Sequence, residues 1–288
     1  MERALEPYQL IERSILKKYR KELWKPFIYA VKRYELIRAG DRIAVCISGG
    51  KDSMLLAKLM QELNRHSDVP FSLVYLVMDP GYNERNRRKI ESNAALLHIP
   101  ITIFETNIFD VANKSGHSPC YLCARMRRGH LYSKARELGC NKIALGHHFN
   151  DVVETTVMGM FFGSQLQAML PKLHSTNFPG MELIRPLYCV HEEDILAWVR
   201  YNGLNFIRCA CRFTENATDC DSGGSKRQEI KLLLRRLKRD NPNIEKSIFN
   251  SIHTVTLDTF PGYKQAGVWH SFLDDYDSAA EQRESTEP

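Results

Sequence analysis

The sequence predicts an α/β fold, in which helices cover both faces of an open parallel sheet and further helices lie at the N- and C-terminal ends. Short segments rich in β-branched residues alternate with helical patterns through residues 41–202. The first two predicted strands are almost continuously apolar, which is typical of strands buried on both faces of a parallel sheet. A glycine-rich turn joins the first strand directly to the next helix. Together these features favour parallel strands connected by helical crossovers.

The predicted elements follow one another regularly along the chain. Two helical patterns come first, at residues 8–22 and 24–39, and the second is expected to end at Gly40. Strands are then predicted at 41–48, 71–78, 101–106 and 142–147. Helices between and before them are predicted at 52–65, 83–98 and 122–139. A further strand at 183–188 precedes helices near 191–202, 226–239 and 243–258.

This order of elements suggests four segments. Residues 1–40 form an N-terminal helical segment, and residues 41–205 form the α/β domain. Residues 206–262 combine a cysteine-containing loop with a basic helical region, and the turn-forming residues of 214–224 predict the loop. Residues 263–288 are expected to be a tail that is disordered at its end, because the sequence from Asp274 is polar and acidic.

The bulk composition excludes some classes of protein and leaves others open. The chain has 288 residues, of which 43% are hydrophobic and 26% charged. It contains no apolar run of the length, about 18 residues, that a membrane span needs, so no membrane partner is expected. The N-terminus is too charged for a secretory signal, which makes the cytoplasm the expected location. The net charge of +6 suits a polyanionic partner without identifying one.

The eight cysteines divide into two groups. In a chain without an export signal they are not expected to form a disulfide framework. Cys46, Cys140 and Cys189 stand singly in apolar segments and are expected to be small buried residues. The other five cluster in polar surroundings, as Cys120 with Cys123 and as Cys209 with Cys211 and Cys220. A C-x-x-C pair at a helix start can bind zinc, bind an iron–sulfur cluster or act as a redox dithiol, and the pair alone does not decide among them.

A first functional motif follows the first strand. The segment Ser48-Gly49-Gly50-Lys51-Asp52-Ser53 lies between the strand AVCIS and the apolar helical pattern MLLAKLM. Glycines allow a sharp turn and a close backbone approach, and the N–H groups of the following helix then face one point. Lys51 adds a positive charge, and Ser48 and Ser53 add hydroxyl groups. The motif therefore predicts an anion site, although its spacing differs from that of a Walker P-loop.

A second motif, Gly146-His147-His148-Phe149-Asn150-Asp151, ends the strand at 142–147. In an open α/β sheet, ligands bind outside the carboxyl ends of the strands. The two motifs are therefore expected to face the same crevice.

The first motif, SGGKDS, resembles the motif of the PP-loop (N-type) ATP pyrophosphatases, which have a HUP-like fold. These enzymes hold the pyrophosphate half of ATP and cleave between its α and β phosphates. The resemblance implies that Gly49, Gly50, Lys51, Asp52 and Ser53, with the Ser48 hydroxyl, hold the pyrophosphate, and that Mg²⁺ bridges its oxygens. Asp52 is expected to bind the metal or stabilise the turn.

The second motif, GHHFND, resembles the GHH-x-DD element of the tRNA-thiolating branch of this family. The resemblance implies that Gly146 contacts the nucleotide and that Asp151 acts near the α-phosphate or its metal. Asn150 departs from the family pattern, which has an acid there. His147 and His148 are equally compatible with phosphate binding and with packing at the strand end.

The segment Pro119-Cys120-Tyr121-Leu122-Cys123-Ala124-Arg125-Met126-Arg127-Arg128-Gly129, with a late cysteine near a basic helix, resembles the tRNA 2-thiocytidine synthetase family. The likeness covers residues 20–260. It implies a [4Fe–4S] cluster on Cys120, Cys123 and Cys209, whose fourth iron is open to carry sulfur. The family has C-x-x-C at the second site, whereas this chain has C-x-C followed by Cys220. Cys211, and less readily Cys220, therefore remain alternatives for the third ligand.

Basic residues on two predicted helices indicate RNA contact. They are Arg125, Arg127, Arg128, Lys134 and Arg136 on one helix and the block 226–239 on the other. Arg127 and Arg128 are alternatively expected to approach ATP or the target base. The partners expected are tRNA, ATP and a sulfur donor, either a cysteine desulfurase or sulfide, and a homodimer is left open.

These resemblances predict an ATP-dependent tRNA sulfurtransferase. It would adenylate the C2 oxygen of a pyrimidine and replace that oxygen with sulfur, using Lys51, Arg127 and Asp151 in catalysis. Cytidine is favoured over uridine, because relatives that make 2-thiouridine carry an N-terminal cysteine zinc finger and this chain has no cysteine before Cys46. A 2-thiouridine synthetase and another adenylating enzyme of the PP-loop family are the alternatives.

Overall fold

The computed structural model describes residues 5–108, 119–207, 226–274 and 276, and for residues 119–125 it describes the backbone alone. The chain forms two compact units, Met1–Arg236 and Leu237–Pro288. The expected boundary between residues 205 and 206 falls inside the first unit.

The N-terminal segment is helical, as predicted, but its helix is irregular. Helix α1 (Pro7–Arg13) continues through two π-helical turns, at Ser14–Lys18 and Arg20–Trp24, into α2 (Lys25–Arg33). The prediction that the second helix extends to residue 39 is wrong. Glu35 has a positive φ of 48°, and the N–H of Leu36 bonds back to the carbonyl of Val31, which ends the helix six residues early.

A six-stranded sheet forms the centre of the first unit, which confirms the predicted α/β class. Its strands lie in the order β3-β2-β1-β4-β6-β5. They are β1 (Arg42–Ile47), β2 (Ser72–Asp79), β3 (Ile101–Glu105), β4 (Lys142–Ala144), β5 (Lys172–His174) and β6 (Glu182–Ile184). The first five strands in this order pair in parallel, whereas β5 is antiparallel to β6. The edge strand β5 was not predicted from the sequence.

Helices cover both faces of this sheet. They are α3 (Lys51–His66), α4 (Glu84–Leu96), α5 (Pro119–Glu137), α6 (Phe149–Gly163) and α7 (Glu192–Tyr201). Successive β1 side chains alternate between two cores, because neighbouring side chains of a strand point to opposite faces. Val45 packs in the core that contains residues of α3, and Ala44 packs in the core that contains Tyr132 of α5.

The single cysteines test the prediction of burial. Cys46 and Cys140 are buried in the core on the α5 side, as predicted. Burial raises the pKa of the Cys46 thiol to about 12, so this group stays protonated and unreactive at neutral pH. Cys189 is only partly buried.

A buried ion pair attaches the N-terminal helices to α3. The Lys58 side chain is 0% exposed, and its Nζ lies 2.5 Å from Oε1 of Glu12. It also donates to the carbonyl oxygen of Leu97 at 2.9 Å. A buried ammonium group needs such partners, since leaving it unpaired costs several kcal/mol, roughly 3–5.

The strand order creates a topological switch point between β1 and β4. After β1 the chain continues to β2, which lies on one side of this pair of strands. After β4 it continues to β5 and β6, which lie on the other side. Ligands bind at such a point, outside the carboxyl ends of the strands. Both sequence motifs follow these two strands, so the fold brings them together there.

The second unit contains a helix and a hairpin. It begins at Leu237, near the end of helix α8 (Lys226–Asp240), and continues with α9 (Ile244–Ser251). Strands β7 (Gly262–Gln265) and β8 (Val268–Ser271) form an antiparallel hairpin, which turns through Ala266 and Gly267 with φ of 49° and 88°. The hairpin was not predicted, because these residues were assigned to the tail. The tail from Asp274, which was expected to be disordered, lies outside the described residues apart from Asp274 and Tyr276.

Among the described residues, none of the helices combines the length and the apolar character that a membrane crossing requires.

Candidate functional site

The first motif forms a tight turn between β1 and α3. Gly49 has a φ of 84°, and a Cβ atom there would lie 2.6 Å from side-chain atoms of Ile207 and Ile90. Only glycine fits this position. Gly50 begins α3, and among the described residues no side chain caps this helix end. The first-turn N–H groups are therefore available to an anionic ligand.

The two serines of this motif stabilise the turn from inside. Ser53 Oγ donates to the carbonyl oxygen of Gly50 at 2.9 Å and accepts from the N–H of Ser48 at 3.1 Å. The two hydroxyl groups lie 3.2 Å apart. The loop is thus held in its conformation without a ligand.

The second motif packs directly on the first. A Cβ atom on Gly146 would lie 3.1 Å from the backbone carbonyl carbon of Asp52 and from the N atom of Ser53. A larger residue at Gly146 would therefore push the two loops apart. This contact brings both motifs to one site, as the sequence predicted.

The structure gives different positions to the two histidines, each of which the sequence had found compatible with phosphate binding and with packing. His148 is buried and caps α6, where its Nδ1 accepts from the N–H of Asp151 at 3.3 Å. Asp151 Oδ2 accepts from the N–H of His148 at 3.0 Å in return, which completes a capping box. His148 therefore packs at the strand end, whereas His147 lines a cavity beside the two motifs.

This cavity, of about 630 Å³, lies at the carboxyl ends of β1 and β4. A volume of this size accommodates a nucleotide-sized ligand. From the two motifs it is lined by Ser48, Asp52, Ser53, Gly146, His147 and Asp151. From other elements it is lined by residues that include Met78, Tyr82, Arg127, Arg128, Leu131, Thr155, Met169, Arg185 and Arg227.

The predicted site residues divide into four groups by position. Six of them line the cavity: Ser48, Asp52, Ser53, Gly146, Asp151 and Arg127. Gly49 and Gly50 form the adjacent turn, and Lys51 points its Nζ toward Asp52 and Glu192. Cys120 and Cys123 lie in the first two turns of α5, whose Arg127 and Arg128 reach the cavity. Cys209, with its alternatives Cys211 and Cys220, lies outside the described residues.

Four arginines and two aspartates line the cavity within the described part of the chain. Burial lowers the pKa of the Arg185 guanidinium to about 10, which still leaves it charged at neutral pH. The Nε atom of Arg185 is buried and has no hydrogen-bond partner among the described residues. A buried donor of this kind is costly unless a ligand satisfies it. The charge distribution therefore fits an anionic ligand.

His147 contributes a neutral group to the same wall. Burial, followed by the charge of Arg185, lowers the pKa of His147 to about 4. The imidazole is therefore uncharged at neutral pH. Its Nδ1 is buried and lacks a hydrogen-bond partner in the described ranges. It can bind a ligand through a hydrogen bond but not through charge.

Asp151 is held as a carboxylate. Burial acts to raise its pKa, but electrostatic interaction with His148, the hydrogen bond from the His148 backbone and the neighbouring His147 and Arg227 outweigh it, so the pKa is lowered. Arg227 Nη1 lies 2.8 Å from Oδ1 of Asp151. The carboxylate is thus ionised at neutral pH and fixed in direction.

Three residues of this region were not assigned to the site from the sequence. Arg185 directly follows β6, and an arginine at the carboxyl end of a strand is a signal that could have identified it. Arg227 belongs to the basic block that was assigned to RNA. Glu192 begins α7 and lies 3.1 Å from Lys51 Nζ, a contact that no local sequence pattern predicts.

Described residues on both sides of the segment 208–225 contact this site. Ile207, which precedes the segment, packs against Gly49 of the phosphate loop. Arg227, the second residue after the segment, pairs with Asp151. The described residues on either side of 208–225 therefore contact the first motif at Ile207 and the second motif at Arg227.

Comparison with known proteins gives the class of this fold and site. A PP-loop domain model matches residues 14–212. The tRNA-cytidine(32) 2-sulfurtransferase of Geobacter sulfurreducens is 37% identical over 229 residues, which cover 78% of this chain and 86% of the relative. The enzyme of the same name from Syntrophotalea carbinolica is 35% identical over 249 residues, which cover 85% of this chain and 92% of the relative.

A solved structure shares the fold. The U34-tRNA thiolase NcsA from Methanococcus maripaludis, determined with its [4Fe–4S] cluster, superposes with a TM-score of 0.63 at 20% identity and covers 80% of this chain and 77% of that one. The chain therefore belongs to the PP-loop family, in the tRNA-thiolating branch that contains the tRNA-cytidine 2-sulfurtransferases. The resemblance found in the motifs is confirmed.

Proposed function

We propose that this tRNA thiolation enzyme adenylates the C2 oxygen of a cytidine in tRNA and replaces that oxygen with sulfur. The observation that carries the proposal is the single cavity in which the two motifs meet. It joins the open N-terminus of α3, the ionised Asp151 and the helix that carries Cys120 and Cys123. A phosphate site, a charged group for the reacting centre and a helix that carries two cysteines are thus adjacent.

The first motif fits the pyrophosphate half of ATP. Gly49 and Gly50 expose backbone N–H groups, Ser48 and Ser53 present hydroxyl groups, and Lys51 supplies a positive charge within reach. Gly146 allows the nucleotide to approach the backbone closely. The cavity already contains an excess of positive charge, so a polyphosphate would find complementary groups in place.

Two carboxylates fit a role in binding Mg²⁺ together with the phosphates. Asp52 and Asp151 both line the cavity, and His148 lies between them, 3.9 Å from Asp52 and 3.4 Å from Asp151. Magnesium is commonly bound by one or two carboxylates plus substrate phosphates.

Residues in the cavity and beside it have different roles in the adenylation step. The C2 oxygen of the base forms a bond to the α-phosphorus as the bond from that phosphorus to the bridging oxygen of pyrophosphate breaks. Lys51 and the first-turn N–H groups of α3 hold the leaving pyrophosphate. Arg127 neutralises charge that develops on the α-phosphate, and Asp151 orients the reacting centre. A sulfide then displaces AMP from C2.

Three cysteines fit an iron–sulfur cluster. Cys120 and Cys123 are three residues apart near the N-terminus of α5, so their Cα atoms lie on one side of the helix. A helix N-terminus also favours the thiolate form of cysteine. Cys209, or Cys211 in its place, would complete the set. When bound, the cluster would supply sulfide that is already deprotonated for the attack on C2, and the sulfur itself would come from a cysteine desulfurase or from free sulfide.

Replacing Asp151 with asparagine is expected to lower kcat by about 100-fold or more, because the carboxylate orients the reacting centre in the transition state. The affinity for ATP should stay within about threefold of wild type, since Asn keeps the size and most contacts of Asp. Single-turnover AMP release and equilibrium ATP binding measure the two quantities. Asn150→Asp is the matched control, because Asp keeps the oxygen that accepts from the N–H of Glu192 and should retain activity. A change in ATP affinity alone would show that the assigned role is wrong.

Charge reversal on the outer side of α8 is expected to weaken tRNA binding. Arg235 and Arg236 are exposed, unlike Arg227 and Lys231, which pair inside the first unit. Each lost phosphate contact should reduce the slope of log affinity against log salt by about 0.7–0.9. Filter binding of Arg235→Glu and Arg236→Glu at several salt concentrations tests this. Lys32→Glu on the exposed side of α2 is the control, and unchanged slopes in all variants would assign this part of α8 to solvated surface.

Mass spectrometry of tRNA nucleosides from a strain that lacks the gene tests the substrate. We expect 2-thiocytidine to disappear and to return when the gene is restored, while 2-thiouridine stays constant. Loss of 2-thiouridine instead would support the alternative substrate. Loss of neither nucleoside would contradict the proposed function.

A further inference from the structure

Lys51 of the phosphate loop is held by two carboxylates. Its Nζ lies 3.0 Å from Asp52 and 3.1 Å from Oε1 of Glu192. Lys51 is only 22% exposed, and Glu192 only 18%, so solvent screens this pair less than it screens a surface pair. The lysine side chain therefore has a defined direction before any ligand binds.

Glu192 is itself fixed from two sides. Its backbone N–H donates to Oδ1 of Asn150 at 2.9 Å, which ties the start of α7 to the second motif. Its second carboxylate oxygen, Oε2, lies 2.7 Å from Nζ of Lys231 on α8. One carboxylate thus bridges two lysines, one from the phosphate loop and one from the basic helix.

Helix α8 reaches both halves of the site through one of its faces. Arg227 and Lys231 are four residues apart, so they lie on the same side of the helix. Arg227 contacts Asp151 of the second motif, and Lys231 contacts Glu192, the partner of Lys51 in the first. The basic residues of this face are therefore engaged within the protein, unlike the exposed Arg235.

We propose that Glu192 is the positioning residue for Lys51, and that Lys231 holds Glu192 in the geometry that directs Lys51 to the departing pyrophosphate. This inference rests on the proposed function and deepens it. Lysine is a point charge on a flexible stem, and without Glu192 the adjacent Asp52 would draw its ammonium group back toward its own turn of helix. The bridge holds the ammonium group between Asp52 and Glu192 instead.

The proposal predicts a split between kcat and KM. In Glu192→Gln the positioning is weakened, so kcat should fall by about 10- to 100-fold. The KM for ATP should stay the same or fall, because the variant removes a negative charge close to where the polyphosphate binds. Lys231→Met should lower kcat by about 5- to 10-fold, and Lys231→Arg, which keeps the charge, should recover most of it.

A double-mutant cycle on tRNA-dependent pyrophosphate release gives the decisive test. If Lys231 acts through Glu192, Lys231→Met should have little further effect on kcat in the Glu192→Gln background. Lys32→Met is the control, since it removes an exposed cation from α2, and its kcat should equal that of wild type. Thermal unfolding of each variant shows that the fold is kept, and if Glu192→Gln unfolds, the cycle is run with Glu192→Asp.

The outcomes separate this inference from the function on which it rests. Additive losses of kcat for Glu192→Gln and Lys231→Met would overturn the bridge, as would a raised KM for ATP with unchanged kcat. Wild-type protein that releases no pyrophosphate with ATP and tRNA would instead overturn the proposed function, and this inference with it. Non-additive losses with recovery in Lys231→Arg would establish the bridge.

Discussion

Lys51→Ala is expected to abolish ATP-dependent turnover, with a loss of about 1,000-fold or more in kcat, because the lysine is proposed to hold the departing pyrophosphate with its positive charge. The lysine contacts Asp52 and Glu192 and packs in neither core, so its removal should leave the fold intact. AMP and pyrophosphate release measure the turnover. Iron content and the visible absorbance of the cluster should stay at wild-type levels.

Two controls make this result specific. Lys32→Ala removes an exposed lysine from α2 and should leave turnover unchanged. Lys51→Arg keeps the charge but changes its shape, so partial activity is expected. Turnover near wild type in Lys51→Ala would remove the pyrophosphatase interpretation of the motif.

Cys120→Ser and Cys123→Ser are each expected to eliminate iron binding. Each change removes one of only three proposed protein ligands, and serine is a poorer ligand for this iron. Cys209→Ser should have the same effect, whereas Cys211→Ser should be milder and Cys220→Ser nearly silent. Iron and sulfide counts on anaerobically purified protein test these expectations, and a [4Fe–4S] cluster corresponds to about four irons per chain.

The buried cysteines provide matched controls. Cys46→Ser and Cys140→Ser should keep full iron, since both thiols lie in the core on the α5 side. Each should reduce the free energy of unfolding by about 1–3 kcal/mol, because a hydroxyl group replaces a small apolar one. One zinc without inorganic sulfide would contradict the cluster. Severe loss of iron in Cys211→Ser with mild loss in Cys209→Ser would move the third ligand to Cys211.

Much of the central fold could be predicted because its signals are local. The apolar runs of β1 and β2 and the helical periodicity between strands each depend on residues close in the chain. Strand β5 could not be predicted, because it has a single apolar residue, Leu173, between Lys172 and His174, and the strand exists only through its pairing with β6. The early end of α2 likewise depends on the positive φ of Glu35, a residue that does not favour this conformation.

The same distinction separates the parts of the site. Its two motifs were predictable, since glycines followed by a lysine in a strand–helix turn are typical of a loop that binds phosphate. Glu192 and Arg227 reach the site from distant elements, and only tertiary contacts bring them there. The structure also gives a reason why Asn150 suits its position, because its side-chain oxygen accepts from the N–H of Glu192. The departure from the family motif therefore leaves Asp151 and its contacts in place.

Adenylation and thiolation are proposed to occur on the same base. The most direct measurement is an anaerobic reaction of the iron-loaded protein with tRNA, sulfide and ATP, in which AMP and thiolated nucleosides are both quantified. The proposed mechanism predicts that AMP and 2-thiocytidine form in equal amounts and that neither forms without tRNA. Formation of ADP in place of AMP, or of 2-thiocytidine without ATP, would contradict it.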